Sequence, residues 1–240
     1  MTSRTLSGWL IHAQPSGETA SYLSILTEEK GLIQTRYPGG QSRKRKMNLQ
    51  LFTPLWIELQ QRGQMHYCQS IEIKSQPPVL SNLALSCAYY INELIYKTLK
   101  QPEIDNHLYT VYEQSLLSLQ QTQEQTKIER LLRQFEWSLL VSQGHSYSFE
   151  LEGDQQTAID ITLNYLFQPG YGFYPSPQGF SGQTLLSIAQ NGLADKTTLS
   201  VAKRIMRQAI DYLVDYQPIH ARKMFMTHHP ENNTLAMDRP

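Results

Sequence analysis

Two adjacent prolines, Pro77 and Pro78, split this chain into stretches with different hydrophobic periods. Consecutive prolines remove two backbone donors and stop a strand or helix from running through. Before them, five short segments rich in β-branched and aromatic residues read as strands, at 8–12, 19–26, 31–37, 54–60 and 65–73. Glu28-Glu29-Lys30-Gly31 and Gln61-Arg62-Gly63-Gln64 suit hairpin turns between them. Leu55, Ile57 and Leu59 alternate with Trp56, Glu58 and Gln60, giving one inner and one outer face. Five such strands in about seventy residues fit a small barrel, with the OB-fold the natural candidate and an SH3-like barrel the alternative.

After the prolines the period becomes helical. Residues 80–100, 104–119 and 127–143 carry apolar positions at helical spacing, and Gly144 is placed to cap the third helix. Residues 145–180 are irregular, and 184–190 and 197–216 read as helices again. The last fifteen residues, with His228-His229, are polar and expected to be loose. The expected fold is therefore α+β: a five-stranded OB-fold domain over 1–78, then a mainly α-helical domain over 79–240 with an irregular insertion at about 145–180.

A hydrophobic content of 40% supports real cores, and no apolar run approaches the roughly 18 residues of a membrane helix. The start of the chain lacks the long apolar stretch of a secretory signal. Cys68 and Cys87 are the only cysteines, too few for a disulfide framework or a four-sulfur zinc site. A soluble protein of a reducing compartment, without a membrane segment, is expected.

Charge is balanced overall, with 21 basic and 21 acidic residues, but it is not spread evenly. Arg36, Arg43, Lys44, Arg45 and Lys46 fall within eleven residues that hold no acid. With Lys30, residues 30–46 carry +6, so the remainder carries −6. Such a segment makes a local positive field whose natural partner is a polyanion, most often nucleic acid. Arginine can fork a phosphate and lysine can hold it as a point charge, whereas the bland reading is a solvated charge run. If five cations each neutralise a phosphate, log K should fall with log salt at a slope of about −3.5 on single strands and about −4.5 on duplex. Trp9, Tyr22, Tyr37, Phe52, Trp56 and Tyr67 lie on or beside the strands. Most aromatics of a small barrel are core; of these, Tyr37 is the first candidate to stack a base.

Two further basic sets occur on helices. Arg130 and Arg133 flank Leu132, a basic rim on an apolar face that would suit an acidic peptide ending in a hydrophobic residue. Lys203, Arg204 and Arg207 share a later helix, with Arg222 and Lys223 beyond; a solvated face is the simpler reading, a second phosphate or acidic-peptide surface the sharper one. Catalysis finds little support. Glu150, Glu152 and Asp154 sit in a turn, and no Walker loop, HExxH, GxSxG or CxxC is present.

Together these features resemble the bacterial recombination mediator family RecO. The resemblance runs through Pro15-Ser16-Gly17-Glu18-Thr19, Leu26-Thr27-Glu28-Glu29-Lys30-Gly31, the basic loop and Leu51-Phe52-Thr53-Pro54-Leu55. It continues in Tyr90-Ile91-Asn92-Glu93-Leu94, Leu132-Arg133-Gln134-Phe135-Glu136-Trp137-Ser138-Leu139-Leu140 and Ala202-Lys203-Arg204. Residues 145–180 and the tail match poorly.

The resemblance implies a non-enzymatic, cytoplasmic, nucleoid-associated protein of the RecF pathway, an OB-fold joined to a helical domain. It implies binding of single- and double-stranded DNA, annealing of complementary strands, partnership with RecR, and help for RecA on strands coated by single-strand DNA-binding protein. It also implies docking of that protein's acidic, Phe-ended tail on the helical domain, where Arg130, Leu132, Arg133, Lys203, Arg204 and Arg207 become candidates. Many members carry a four-cysteine zinc site in the central region; with no cysteine after Cys87, this chain must hold that region by packing alone, without a metal or other cofactor. The alternatives from the residues alone are a non-enzymatic RNA-binding or ribosome-associated OB-fold module, a metal-dependent nuclease and a pure protein scaffold.

Overall fold

The computed structural model describes residues 3–62, 65–80, 82–99 and 104–226. Five strands form a closed barrel: β1 (Ser3–Ser16), β2 (Ala20–Thr27), β3 (Gly31–Tyr37), β4 (Pro54–Arg62) and β5 (Met65–Ile73), in the order β1-β2-β3-β5-β4 with β4 returning to β1. All neighbours are antiparallel except β3 and β5, which meet in parallel at Arg36 and Tyr67. That closure selects the OB-fold over the SH3-like alternative. β1 is longer than its own residues announce because it serves two partners. Its first half pairs with β4 and its second with β2, and a bulge between Leu10 and His12 bends it from one to the other. The turn at Gly63-Gln64 and the tail with His228-His229 lie outside the described residues.

The barrel core is the inner set of each strand, including Leu6, Leu10, Leu23, Ile25, Tyr37, Leu55, Ile57, Leu59 and Cys68. Each such aliphatic side chain contributes about 1.5–3 kcal/mol by leaving water. Burial pushes the Cys68 thiol up to about 12, so it remains protonated and serves as a small hydrophobe.

Two helices, α2 (Asn82–Thr98) and α3 (Asn106–Gln121), cover the outer face of β1. Ile11 sits in the bulge, outside the ladder pairing. Its carbonyl accepts from Asn92 Nδ2 at 3.0 Å, and Asn92 Oδ1 accepts from the Tyr112 hydroxyl at 2.8 Å. The edge of Trp9 meets Tyr112, ring centroids 5.8 Å apart. A buried amide thus satisfies the polar group that the bulge exposes. The barrel strands end at Ile73, but the compact unit around them runs on through the described residues to Gln123 and takes the chain back from Ile219. The returning segment is capped by Glu93, whose carboxylate accepts from the His220 and Ala221 amides at the start of a short helix, Arg222–Met226.

The second unit, Glu124–Pro218, holds α4 (Gln125–Ser142), α5 (Gly182–Asn191), α6 (Lys196–Leu213) and a small sheet. Gly144, at φ +71°, ends α4 as its residue type predicts: its amide and that of His145 bond back to Val141 and Leu140. The stretch read as irregular forms β6 (Asn164–Gln168) between β7 (Gly172–Pro175) and β8 (Phe180–Ser181). Tyr147, Phe149, Phe167 and Phe173 pack ring on ring there, with Trp137 of α4 at their edge; Tyr147 and Phe167 centroids lie 4.6 Å apart. Aromatic packing therefore forms the core of this segment. Among the described residues no helix is long and apolar enough to cross a membrane.

Candidate nucleic-acid interface

The connection from β3 to β4 begins with a turn that needs its glycines. Gly39 adopts φ +70°, and a Cβ on Gly40 would approach Ser21 Oγ to 2.8 Å. Gln41 then ties the turn to the start of β2: its amide donates to Thr19 O at 3.0 Å, and its side chain reaches Ala20 O and Ser21 Oγ. Arg43–Lys46 follow as one helical turn, α1. Four like charges in one turn repel each other and no acid sits in its first turn, so α1 has little intrinsic stability.

The barrel supplies what α1 lacks. The Arg45 guanidinium donates to the Pro38 carbonyl and lies 5.0 Å from the Tyr37 ring centroid. Beyond the turn, Asn48 Nδ2 donates to Ile71 O at 3.3 Å, and Leu49 and Leu51 pack against the barrel core. Arg43, Lys44, Arg45 and Lys46 are all exposed. Among the described residues none of the four has a carboxylate within ion-pair distance. The result is an uncompensated cationic ridge on a fixed support, and a polyanion would relieve its self-repulsion.

The remaining expected contacts divide. Arg36 is exposed on the outer face of β3, one residue from Tyr37. Lys30 sits in the β2–β3 turn at the far end of seven-residue β3, about 20 Å away along the strand, and is not part of the ridge. Tyr37 is only 3% exposed and belongs to the barrel core. Burial pushes its phenol up while Arg45 pulls against that. It supports the ridge from beneath, and the expectation that its ring stacks a base is corrected here, because Arg45 covers the ring.

In the second unit, an open pocket of about 630 Å³ is lined by Arg130, Arg133, Trp137, Tyr147, Phe149, Ile188 and Met206, among others. Arg130 Nε and Nη2 donate to the carbonyls of Leu193 and Ala194, closing the α5–α6 connection. Arg133 is buried and pairs with Glu136 at 2.6 Å. Its Nε and the buried Tyr147 hydroxyl make no hydrogen bond, leaving two donors in an apolar-walled recess. Burial holds the Tyr147 phenol far above its ordinary range, so it keeps its proton.

The other residues expected at this pocket do not line it. Leu132 is turned into the core. On α6 the residues Ala202, Ile205, Met206 and Ala209 face inward, which sends Lys203, Arg204 and Arg207 to solvent. Lys203 pairs with Glu129 at 3.5 Å, and Arg204 lies over Phe180. Met206 is α6's contribution to the pocket, and helical spacing alone does not separate it from ordinary core.

Comparison with known proteins covers nearly the whole chain. The family model described as recombination protein O N terminal matches residues 1–77, and that described as recombination protein O C terminal matches residues 81–222. The chain is 38% identical over 226 residues to a DNA repair protein RecO of Legionella pneumophila (strain Paris), covering 94% of this chain and 99% of that one. It is 28% identical over 232 residues to the protein of the same name from Marinobacter nauticus, covering 93% and 94%, and 30% identical over 230 residues to that from Serratia proteamaculans, covering 92% and 94%.

Proposed function

This chain belongs to the RecO family of recombination and DNA repair proteins, and from that premise we propose that its OB-fold grips sugar–phosphate chains on the α1 ridge. The family is one of repair mediators and not of catalytic enzymes, so the role is carried by binding and needs no nucleophile or nucleotide pocket. In this reading the protein works in the cytoplasm at the nucleoid, binds single- and double-stranded DNA and anneals complementary single strands. With RecR, it helps RecA load onto DNA coated by single-strand DNA-binding protein. Annealing requires that the charge of two strands be neutralised together, which a ridge of unpaired cations supplies.

One observation carries the reading: Arg43, Lys44, Arg45 and Lys46 project from a turn stapled to a closed barrel, without carboxylate partners among the described residues. Replacing all four with glutamine should lower affinity alike for oligonucleotides of unrelated sequence, since phosphates carry no sequence information. A loss confined to one sequence, or no loss, would contradict backbone gripping.

The pocket of the second unit suits the acidic, Phe-ended tail of single-strand DNA-binding protein: apolar walls for a ring, and Arg130, Arg133 Nε and the Tyr147 hydroxyl for carboxylates. Arg133→Ala is a poor test, because it strands buried Glu136 and costs about 3–5 kcal/mol of stability. Trp137 lines the pocket and provides the readout. Its fluorescence should respond to an acidic peptide ending in Phe and not to the same peptide lacking that residue; equal responses would reject the pocket.

A further inference from the structure

The strand register aligns three outward side chains across the barrel. In an antiparallel pair, directly opposed residues share a face, and Tyr22 of β2 opposes Arg36 of β3. The single parallel pairing opposes Arg36 to Tyr67 of β5. The neighbours on each strand confirm the direction: Leu23, Tyr37 and Cys68 belong to the barrel core, so Tyr22, Arg36 and Tyr67 face out. Strands lie about 4.8 Å apart, which sets the two tyrosines about 10 Å from each other with the guanidinium between them. The register carries the row further, to Gln14 opposite Tyr22 and Gln60 opposite Tyr67. The Tyr22 hydroxyl donates to Gln34 Oε1 at 3.0 Å, which fixes that ring on the surface.

We propose that Tyr22, Arg36 and Tyr67 form a base-stacking platform for single-stranded nucleic acid, separate from the phosphate ridge and continuous with it. The proposal rests on the DNA-binding reading above and adds a discrimination that the ridge lacks. Arg36 adjoins Tyr37, on which Arg45 lies, and Gln41 ties the ridge to Ala20 and Ser21, just before Tyr22. A strand held on the ridge therefore reaches the row within one residue of the same strand ends. Two successive bases can lie on the two half-buried rings while Arg36 holds the phosphate between them. Duplex bases are already stacked on each other and offer no face to the tyrosines. The ridge grips both forms of DNA, and the row favours the single strand.

Tyr22→Leu and Tyr67→Leu should each weaken single-strand binding roughly 5- to 140-fold, the range that stacking energies of one base imply. Duplex affinity and the salt slope should stay unchanged, because tyrosine releases no counterions. Tyr22→Phe and Tyr67→Phe keep the ring and should retain most of the single-strand affinity that the leucine variants lose. Should a leucine variant lose its fold, the unaltered protein still decides: irradiating it with an oligonucleotide bearing 5-iododeoxyuridine should give adducts at Tyr22 and Tyr67. Unchanged single-strand affinity in the leucine variants, an equal loss on duplex, or adducts only elsewhere would overturn the platform. Failure of the phosphate reading is a different result, namely intact affinity for both DNA forms when the ridge is neutralised.

Discussion

Arg45 combines two contacts that lysine does not reproduce. Its planar guanidinium lies over the Tyr37 ring and also donates to the Pro38 carbonyl, holding α1 on the barrel. Lys44, one residue away, is exposed and makes no such contact. The two neighbours should therefore respond differently to substitution. Lys44→Gln should reduce the magnitude of the salt slope by about 0.7 on single strands and about 0.9 on duplex, one phosphate's share. Arg45→Lys keeps the charge, yet should weaken binding to both forms, because the ridge loosens. An Arg45→Lys protein that binds normally would show Arg45 to be one more phosphate contact. This division was not legible in the sequence, where Arg43 to Lys46 look equivalent. It depends on where β3 ends and on a Tyr37 ring that faces the core, and for the same reason Tyr37 looked like a stacking residue.

At the scale of elements, legibility followed period. Strands β2 to β5 and helices α2 to α4 stand within a few residues of their expected limits, because their apolar spacing is strong and turn residues bound them. β1 runs past both expected ends because it serves two partners, the distant β4 over its first half and the adjoining β2 over its second. The sheet of β6, β7 and β8 has strands of five, four and two residues, too short to show a period, and side-chain packing holds it. Phe173 is fully buried at the centre of that packing. Phe173→Ala should cost about 3–5 kcal/mol in denaturant unfolding. The cap of α6 gives a pH prediction. The Thr198 amide, with that of Thr197, holds the Asp195 carboxyl below its ordinary value of 3.8. A folded-state value below the unfolded one gives stabilisation that is present above pH 3.8 and lost as pH falls through the lower folded value. Asp195→Ala should therefore melt at a lower temperature than the unaltered protein near neutral pH, and that gap should close on acidification below about pH 4. A gap that persists in acid would show that the cap does not act through the carboxylate.

The whole molecule folds as two compact units, and the proposed roles divide between them. The first builds a closed barrel whose cations project from a stapled turn, and the second builds an apolar recess with buried donors. The formal charge of zero conceals this, because four cations crowd the connection from β3 to β4 while the balancing acids are spread through the rest of the chain. The central claim concerns how many phosphates the ridge holds, and salt titration of DNA binding counts them. With Arg45 acting as staple, Arg43, Lys44 and Lys46 of the ridge remain with Arg36 beside it, which gives a slope of about −2.8 on single strands and about −3.6 on duplex. Replacing Arg43, Lys44, Arg45 and Lys46 with glutamine should bring these to about −0.7 and about −0.9, the share of Arg36 alone. A slope near zero in the unaltered protein, or one that the four substitutions leave in place, would contradict the account.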